Sequence, residues 1–341
     1  MYAINWKLYW RELTDSGKGL VISIRKMNNF LNVHDAKDIG ALVKEALKCK
    51  HNPRADHDLG QHKTLGLIFM NPSLRTRLST QKAGLNLGMD VMVMNFSGEG
   101  WALETEEGVI MNGDKAEHIK EAAAVVGAYC DIIGLRSFPS LKDRELDYSD
   151  HAIDAFVKFA GVPIVNLESA TVHPCQSLTD IITIEETKKV AKPKVVLTWA
   201  PHPRALPQSV GNSFAQWITK TDYEFVIANP EGYDLSQEFT SNAKVVHNPD
   251  VAYEGADYIY AKNWSSYEHY GQILSQDANW MVDERKMKLT NDAKFMHCLP
   301  VRRNVVVSDG VIDSDSSIVI QEAANREFAV QAVLKTILSN G

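Results

Sequence analysis

Short apolar runs alternating with stretches of helical spacing restrict the fold of this chain more than any other feature. In the first half the runs are Thr64–Met70, Asp90–Asn95, Cys130–Arg136 and Pro163–Leu167. In the second they are Lys194–Trp199, Glu224–Ala228, Lys244–His247, Ala256–Ala261, Ala293–His297 and Ser317–Ile320. Between them lie the helical patterns Leu78–Leu87, His118–Ala128, Ser177–Thr187 and Ser209–Thr219. Nearly continuous apolar strands alternating with helices predict parallel sheets covered on both faces. The fold class expected is α/β, with two doubly wound parallel-sheet units and a cleft between them. The 341 residues suit two units. The divisions expected are 1–26 as an extension outside the fold, 27–175, and 176–323, hinged at the helix after His173. A final helix, Ala324–Leu338 within 324–341, returns to the first unit.

The unusual residues gather where these strands end. Asn71-Pro-Ser-Leu-Arg-Thr-Arg77, Gly98-Glu-Gly-Trp101, Arg136-Ser-Phe138 and Glu168 follow runs of the first half. Trp199-Ala-Pro-His-Pro203, Lys262-Asn-Trp264, His297-Cys-Leu-Pro-Val-Arg-Arg303 and Glu322-Ala-Ala-Asn-Arg326 follow runs of the second. Open parallel sheets bind ligands outside the carboxyl ends of their strands. Ser73-Leu-Arg-Thr-Arg77 opens a helix directly after an apolar strand. Its first turn combines free N–H groups, two hydroxyls and two guanidiniums, which suit a phosphate dianion. No Walker loop, Gly-x-Gly-x-x-Gly or Gly-x-Ser-x-Gly occurs in the chain.

A formal charge of -7 argues against a nucleic-acid partner, though not against a local cationic pocket. No apolar run reaches the length of about 18 residues that a membrane span needs. The four cysteines, Cys49, Cys130, Cys175 and Cys298, form no Cys-x-x-Cys pair and fit a reduced cytoplasmic setting. His51, His57 and His62 lack metal-ligand spacing and read as solvated. His173 and Gln176, three apart at a helix start, can both donate to one carbonyl oxygen; a helix-capping His is the structural alternative. Cys298 beside His297 suggests a thiol nucleophile. Adjacent strand residues point to opposite faces, however, so Cys298 is read as lining the pocket.

Ser73-Leu-Arg-Thr-Arg77, His173-Pro-Cys-Gln176 and His297-Cys-Leu-Pro300, in that order with Glu322-Ala-Ala-Asn-Arg326 behind them, resemble the aspartate/ornithine carbamoyltransferase superfamily. The resemblance runs from about Met27 to the C-terminus. It implies carbamoyl phosphate held by Ser73, Leu74, Arg75 and Thr76 and capped by Trp101 and Arg326. Thr76, Arg136, His173 and Gln176 would polarise the carbamoyl oxygen, and the Cys298 and Leu299 backbone would orient the carbamoyl nitrogen. It further implies a homotrimer in which a neighbour lends the Trp101 loop, and it calls for no metal or organic cofactor.

The Asp-x-x-x-Ser-Met-Gly segment of ornithine enzymes is absent. Leu197–Pro207 and Tyr260–Trp264 instead look like the branch acting on Nα-acylated ornithine, in arginine biosynthesis. Glu168, His202, Lys262 and Arg302 map onto its acceptor site. Ala116 stands where N-acetyl enzymes carry Glu and N-succinyl enzymes Pro, and Val306 stands where acetyl enzymes can carry Lys. The runs Leu103–Met111 and Arg204–Ser209 also look like the succinyl enzymes. Ala116 puts no carboxylate opposite a succinyl carboxylate, so the succinyl acceptor is expected, with N-acetylornithine as the alternative. A non-catalytic anion-binding paralogue is the competing class; it would be expected to lose part of the carbamoyl-polarising set.

Overall fold

The structure, a computed structural model, describes residues 28–241 and 243–339. The expected extension 1–26 therefore lies outside the described residues. The first half runs α1 (Ile39–His51), β1 (Thr64–Phe69), α2 (Leu74–Asn86), β2 (Asp90–Asn95), α3 (Phe96–Glu99), β3 (Leu103–Glu104), β4 (Glu117–His118), α4 (Ile119–Tyr129), β5 (Ile132–Arg136), α5 (Arg144–Tyr148), α6 (His151–Phe159), β6 (Ile164–Glu168) and α7 (Pro174–Thr187). The second runs β7 (Lys194–Trp199), α8 (Ser209–Ile218), β8 (Glu224–Ala228), α9 (Gln237–Thr240), β9 (Lys244–Val246), α10 (Pro249–Tyr253), β10 (Tyr258–Lys262), α11 (Glu284–Met287), β11 (Lys294–Met296), α12 (Asp309–Ile312) and α13 (Val319–Leu338).

Two large parallel sheets form, ordered β2-β1-β5-β6 and β11-β10-β7-β8-β9, and β3 pairs with β4 in a separate two-stranded parallel sheet. Their central strands are buried along nearly their whole length, as the continuous apolar runs require. Edge strand β2 instead alternates between exposed and half-buried positions. Register places the chemistry. Phe69 pairs with Arg136, and Arg136 with Glu168 across a shift after Leu135, at the carboxyl edge of the first sheet. Trp199 pairs with Lys262 at the matching edge of the second.

Helix α7 is buried from Pro174 to Ile184. It packs on α1 and α13 on one side and on α8 on the other. One apolar core runs through it from Leu67 to Val196. We propose α7 as the seam between two units, the first closed by α13, which packs on α1, α2 and α7.

Helices α2 and α7 begin at Leu74 and Pro174, where the Ser73 and His173 motifs place their starts and ahead of the apolar spacing, because Ser73 and His173 occupy their N-cap positions and proline is tolerated in a first helical turn. The β-branched run Ser317–Ile320 is not a strand. Only Ser317 bridges, to Phe295, and the chain turns at once into α13. That helix buries Val319, Glu322, Arg326 and Val330 on one side, so tertiary packing overrides local β propensity.

Candidate active site

Between the carboxyl edges of the two sheets lies a cavity of about 390 Å³, a size suited to small metabolites. Its wall includes Ser73, Leu74, Arg75, Thr76, Arg136 and Phe138 from the first unit. Helix α7 and its cap add His173 and Gln176, the second unit supplies His202, Lys262, Cys298 and Leu299, and α13 contributes Arg326. Four cations face one acid, Glu168.

Helix α2 begins in a manner that invites an anion. Ser73 is extended and makes no side-chain cap bond, and the first turn holds no acid but carries Arg75 and Arg77. Positive side chains at the positive end of a helix are unfavourable unless an anion joins them. Arg75 is half-buried with Nε unpartnered. Its burial and the nearby Arg326 both work against its charge.

Arg136 is fixed by four hydrogen bonds to three residues. Its Nε and Nη2 donate to Glu168 Oε2 at 3.2 and 3.0 Å, and Nη1 donates to the carbonyls of Asn71 and Pro72 at 2.9 and 2.8 Å. The guanidinium carbon lies 3.9 Å from the Phe138 ring centroid. Of five N–H groups, one on Nη2 remains to donate. Arg326 Nη2 donates to Thr76 Oγ1 at 2.6 Å, so the Thr76 hydroxyl keeps its own proton for another acceptor. The same Nη2 lies 3.3 Å from His173 Nε2. Arginine only donates, which assigns the imidazole proton to Nδ1. Burial first, then Arg326, Arg136 and Lys262, hold His173 well below the usual imidazole range, so it is neutral.

Gln176 differs from expectation. Its Nε2 donates to Asp180 Oδ1 at 2.7 Å and Glu322 Oε1 at 3.1 Å, and its Oε1 has no partner. The carboxamide thus turns its oxygen away from the two acids, so it offers an acceptor. The expectation is donation to a carbamoyl oxygen; in this orientation the carboxamide presents an oxygen instead. Sequence reading missed Asp180 altogether and gave Glu322 no role; a helical spacing of four from Gln176 and from Arg326 was the available signal.

On the acceptor side His202 lines the cleft, and Arg302 Nε donates to its Nε2 at 3.0 Å. Arg302 is exposed and touches the site through His202; Arg303 pairs with Asp309 and Asp313. Lys262 is buried and donates to the Asn263 carbonyl at 3.0 Å. Burial raises the Cys298 thiol to about 11, which disfavours a nucleophilic thiolate and leaves it a wall residue. Leu299, with φ +54, holds a left-handed conformation rare for a branched residue, and its N–H donates to His297 Nδ1 at 2.8 Å. Leu206, Pro207 and Val210 form an apolar wall that the sequence did not single out.

Two expected residues lie elsewhere. Trp101 is 54% exposed and donates to Glu117 Oε2, and Ala116 is exposed; neither lines this cleft. Among the described residues no cluster of His, Cys, Asp or Glu has metal-binding geometry, and no helix is long and apolar enough to cross a membrane.

This arrangement coincides with a known family. The model of the aspartate/ornithine carbamoyltransferase carbamoyl-P binding domain matches residues 28–186, and that of its Asp/Orn binding domain matches residues 207–337. The chain belongs to the aspartate/ornithine carbamoyltransferase family. Within it, the chain is 56% identical over 316 residues to N-succinylornithine carbamoyltransferase of Bacteroides fragilis (strain 638R), covering 92% of this chain and 99% of that protein. It is 36% identical to N-acetylornithine carbamoyltransferase of Xanthomonas axonopodis pv. citri (strain 306), covering 92% and 97%. A Glu-to-Ala variant of N-acetyl-L-ornithine transcarbamylase, complexed with carbamyl phosphate and N-succinyl-L-norvaline, superposes with a TM-score of 0.85 at 36% identity, covering 91% of this chain and 99% of that one.

Proposed function

We propose that the protein transfers the carbamoyl group of carbamoyl phosphate to the δ-amine of N-succinyl-L-ornithine, giving N-succinyl-L-citrulline and phosphate, as a cytoplasmic step of arginine biosynthesis. The observation that carries the donor half is the cleft itself: an uncapped helix start and three guanidiniums around one cavity. The phosphate takes the Ser73–Thr76 turn and Arg326. As Arg326 turns to the phosphate it releases His173 Nε2, the neutral imidazole shifts its proton from Nδ1 to Nε2, and that N–H, the Thr76 hydroxyl and the remaining Arg136 N–H converge on the carbamoyl oxygen.

Attack by the neutral δ-amine builds negative charge on that oxygen, which these donors stabilise more in the transition state than in the ground state. Gln176 Oε1 and the Cys298-Leu299 backbone hold the carbamoyl nitrogen. Phosphate leaves and takes the amine proton. Glu168, His202 and Lys262 hold the acceptor, with Arg302 bracing His202; Lys262 suits a carboxylate.

The succinyl acceptor is supported by the 56% identity to the Bacteroides enzyme and by Ala116, which brings no carboxylate to the acyl pocket. The relative crystallised with a succinyl ligand had itself lost a glutamate. We place Trp101 and Ala116 in the cleft of a neighbouring copy within a homotrimer; their exposure, alongside an Ile110 that is 80% exposed, supports this. The decisive experiment supplies carbamoyl phosphate with ornithine, N-acetylornithine or N-succinylornithine. The largest kcat/KM belongs to N-succinylornithine, and a larger value for N-acetylornithine overturns the acyl assignment. Ala116→Glu shifts preference away from succinyl, and an unmoved preference removes Ala116 from the argument.

A further inference from the structure

Two carboxyl groups behind the donor site have no part in the chemistry described above. Asp180 and Glu322 are both fully buried, beneath the residues that face the carbamoyl group. They lie within hydrogen-bond reach of each other. Gln176 and Asp180 sit one turn apart on α7; Glu322 and Arg326 sit one turn apart on α13. Each helix therefore sends one residue to the ligand and one to the acid pair beneath it.

The pair holds both elements assigned to the carbamoyl nitrogen. On one side it takes the Gln176 amide nitrogen, through Asp180 Oδ1 and Glu322 Oε1. On the other, Glu322 Oε2 accepts the His297 backbone N–H at 2.9 Å, at the start of the turn carrying Cys298 and Leu299. Four carboxyl oxygens with a proton between them offer more acceptors than donors, so the Gln176 amide must face them with its NH2. Its unpartnered Oε1 is then on the other side, on a residue that lines the cleft.

We infer that the Asp180–Glu322 pair is a positioning device that fixes Gln176 as an acceptor and thereby makes the donor site read the NH2 of the carbamoyl group. The inference rests on carbamoyl phosphate being the donor. Its chemical content is a discrimination. Acetyl phosphate carries the same phosphate and carbonyl but a methyl group where carbamoyl phosphate has NH2. It leaves Gln176 Oε1 and the turn's acceptors without a donor, and an acceptor left unpaired in a buried site penalises the ligand that lacks the donor.

Direct titration of the intact protein with carbamoyl phosphate and with acetyl phosphate gives the ratio of their dissociation constants. Glu322→Gln has one acceptor oxygen where Glu322 uses two, so either Gln176 or the His297 turn meets a second donor. That variant binds carbamoyl phosphate about tenfold or more weakly while acetyl phosphate stays within about threefold, and the ratio collapses. Asp180→Asn keeps an oxygen for Gln176 and supplies an N–H to Glu322, so its ratio remains within about threefold of the original. Should Glu322→Gln fail to fold, Asp180→Leu removes one of the two acceptors and lowers the ratio in the same sense.

Equal weakening of both ligands marks a merely structural pair and overturns the inference, as does an unchanged ratio in Glu322→Gln, or in Asp180→Leu where that variant stands in. Failure of the original protein to bind carbamoyl phosphate would instead refute the proposed function, so the two failures are distinguishable.

Discussion

Replacing Arg136 by methionine tests the oxyanion assignment and the architecture beneath it together. The change removes the single free Nη2 N–H, for which loss of an oxyanion donor predicts a fall in kcat of about 10²–10³-fold. It also strands Glu168, which is 7% exposed and keeps only Ser209 Oγ, at 3.1 Å, as a hydrogen-bond partner. Breaking a buried ion pair from one side costs about 3–5 kcal/mol. The double variant Arg136→Met/Glu168→Gln removes the stranded charge and returns most of that stability, but cannot return the N–H. Urea unfolding at fixed protein concentration and citrulline-type product formation under saturating substrates separate the two effects. The single variant has a further signature. Glu168 Oε2 lies 3.7 Å from His173 Nε2, and without Arg136 its charge draws the His173 pKa upward, so residual turnover falls with acid. A single variant as stable as the original protein, or a double variant with restored turnover, refutes this reasoning.

Mixing two inactive variants, Trp101→Ala and His173→Ala, under conditions that exchange subunits restores about a quarter of the sites if each cleft borrows its tryptophan from a neighbour in a closed ring; no recovery removes the shared site. The buried titratable groups oppose one another in their effect on stability. His173 and His297 are held well below the imidazole range by burial, so the unfolded chain binds more protons below about pH 6.5, and each costs up to about 1.4 kcal/mol per pH unit on acidification. Burial raises Asp180 to about 7 and Glu322 well above its ordinary value, so the folded state holds their protons and acidification towards pH 5 favours it. Asp180→Asn therefore loses more stability than the original protein between pH 6.5 and 5, and parallel curves contradict this. Arg326→Met weakens binding of carbamoyl phosphate and of inorganic phosphate alike by titration; a selective loss of one would displace Arg326 from the phosphate.

Sequence reading located what depends on local signals. Near-continuous apolar strands announced two parallel sheets, and Ser73, Arg136, His173, Lys262 and Cys298 fell at strand or helix ends that line one cleft. Gln176 was legible as a site residue but not in its direction, because a carboxamide is both donor and acceptor and only its tertiary partners, Asp180 and Glu322, decide which end faces the ligand. The Ser317–Ile320 segment looked like a strand because β propensity is local, whereas burial of Val319 and Arg326 on α13 is not. Ala116 and Trp101 were assigned by resemblance alone, and within one chain they stay outside the cleft.

The placement of Arg326 and Glu322 on α13 bears on biogenesis. This helix is the last described, and its buried side covers α1, α2 and α7. Both sheets leave the ribosome before it does, so until α13 docks the nascent chain has no complete phosphate site and exposes the apolar flank of α7. Carbamoyl phosphate therefore cannot rescue an unfinished chain by binding to it, since ligand stabilisation requires the finished site. Until α13 is translated, that apolar flank is surface of the kind that invites off-pathway association.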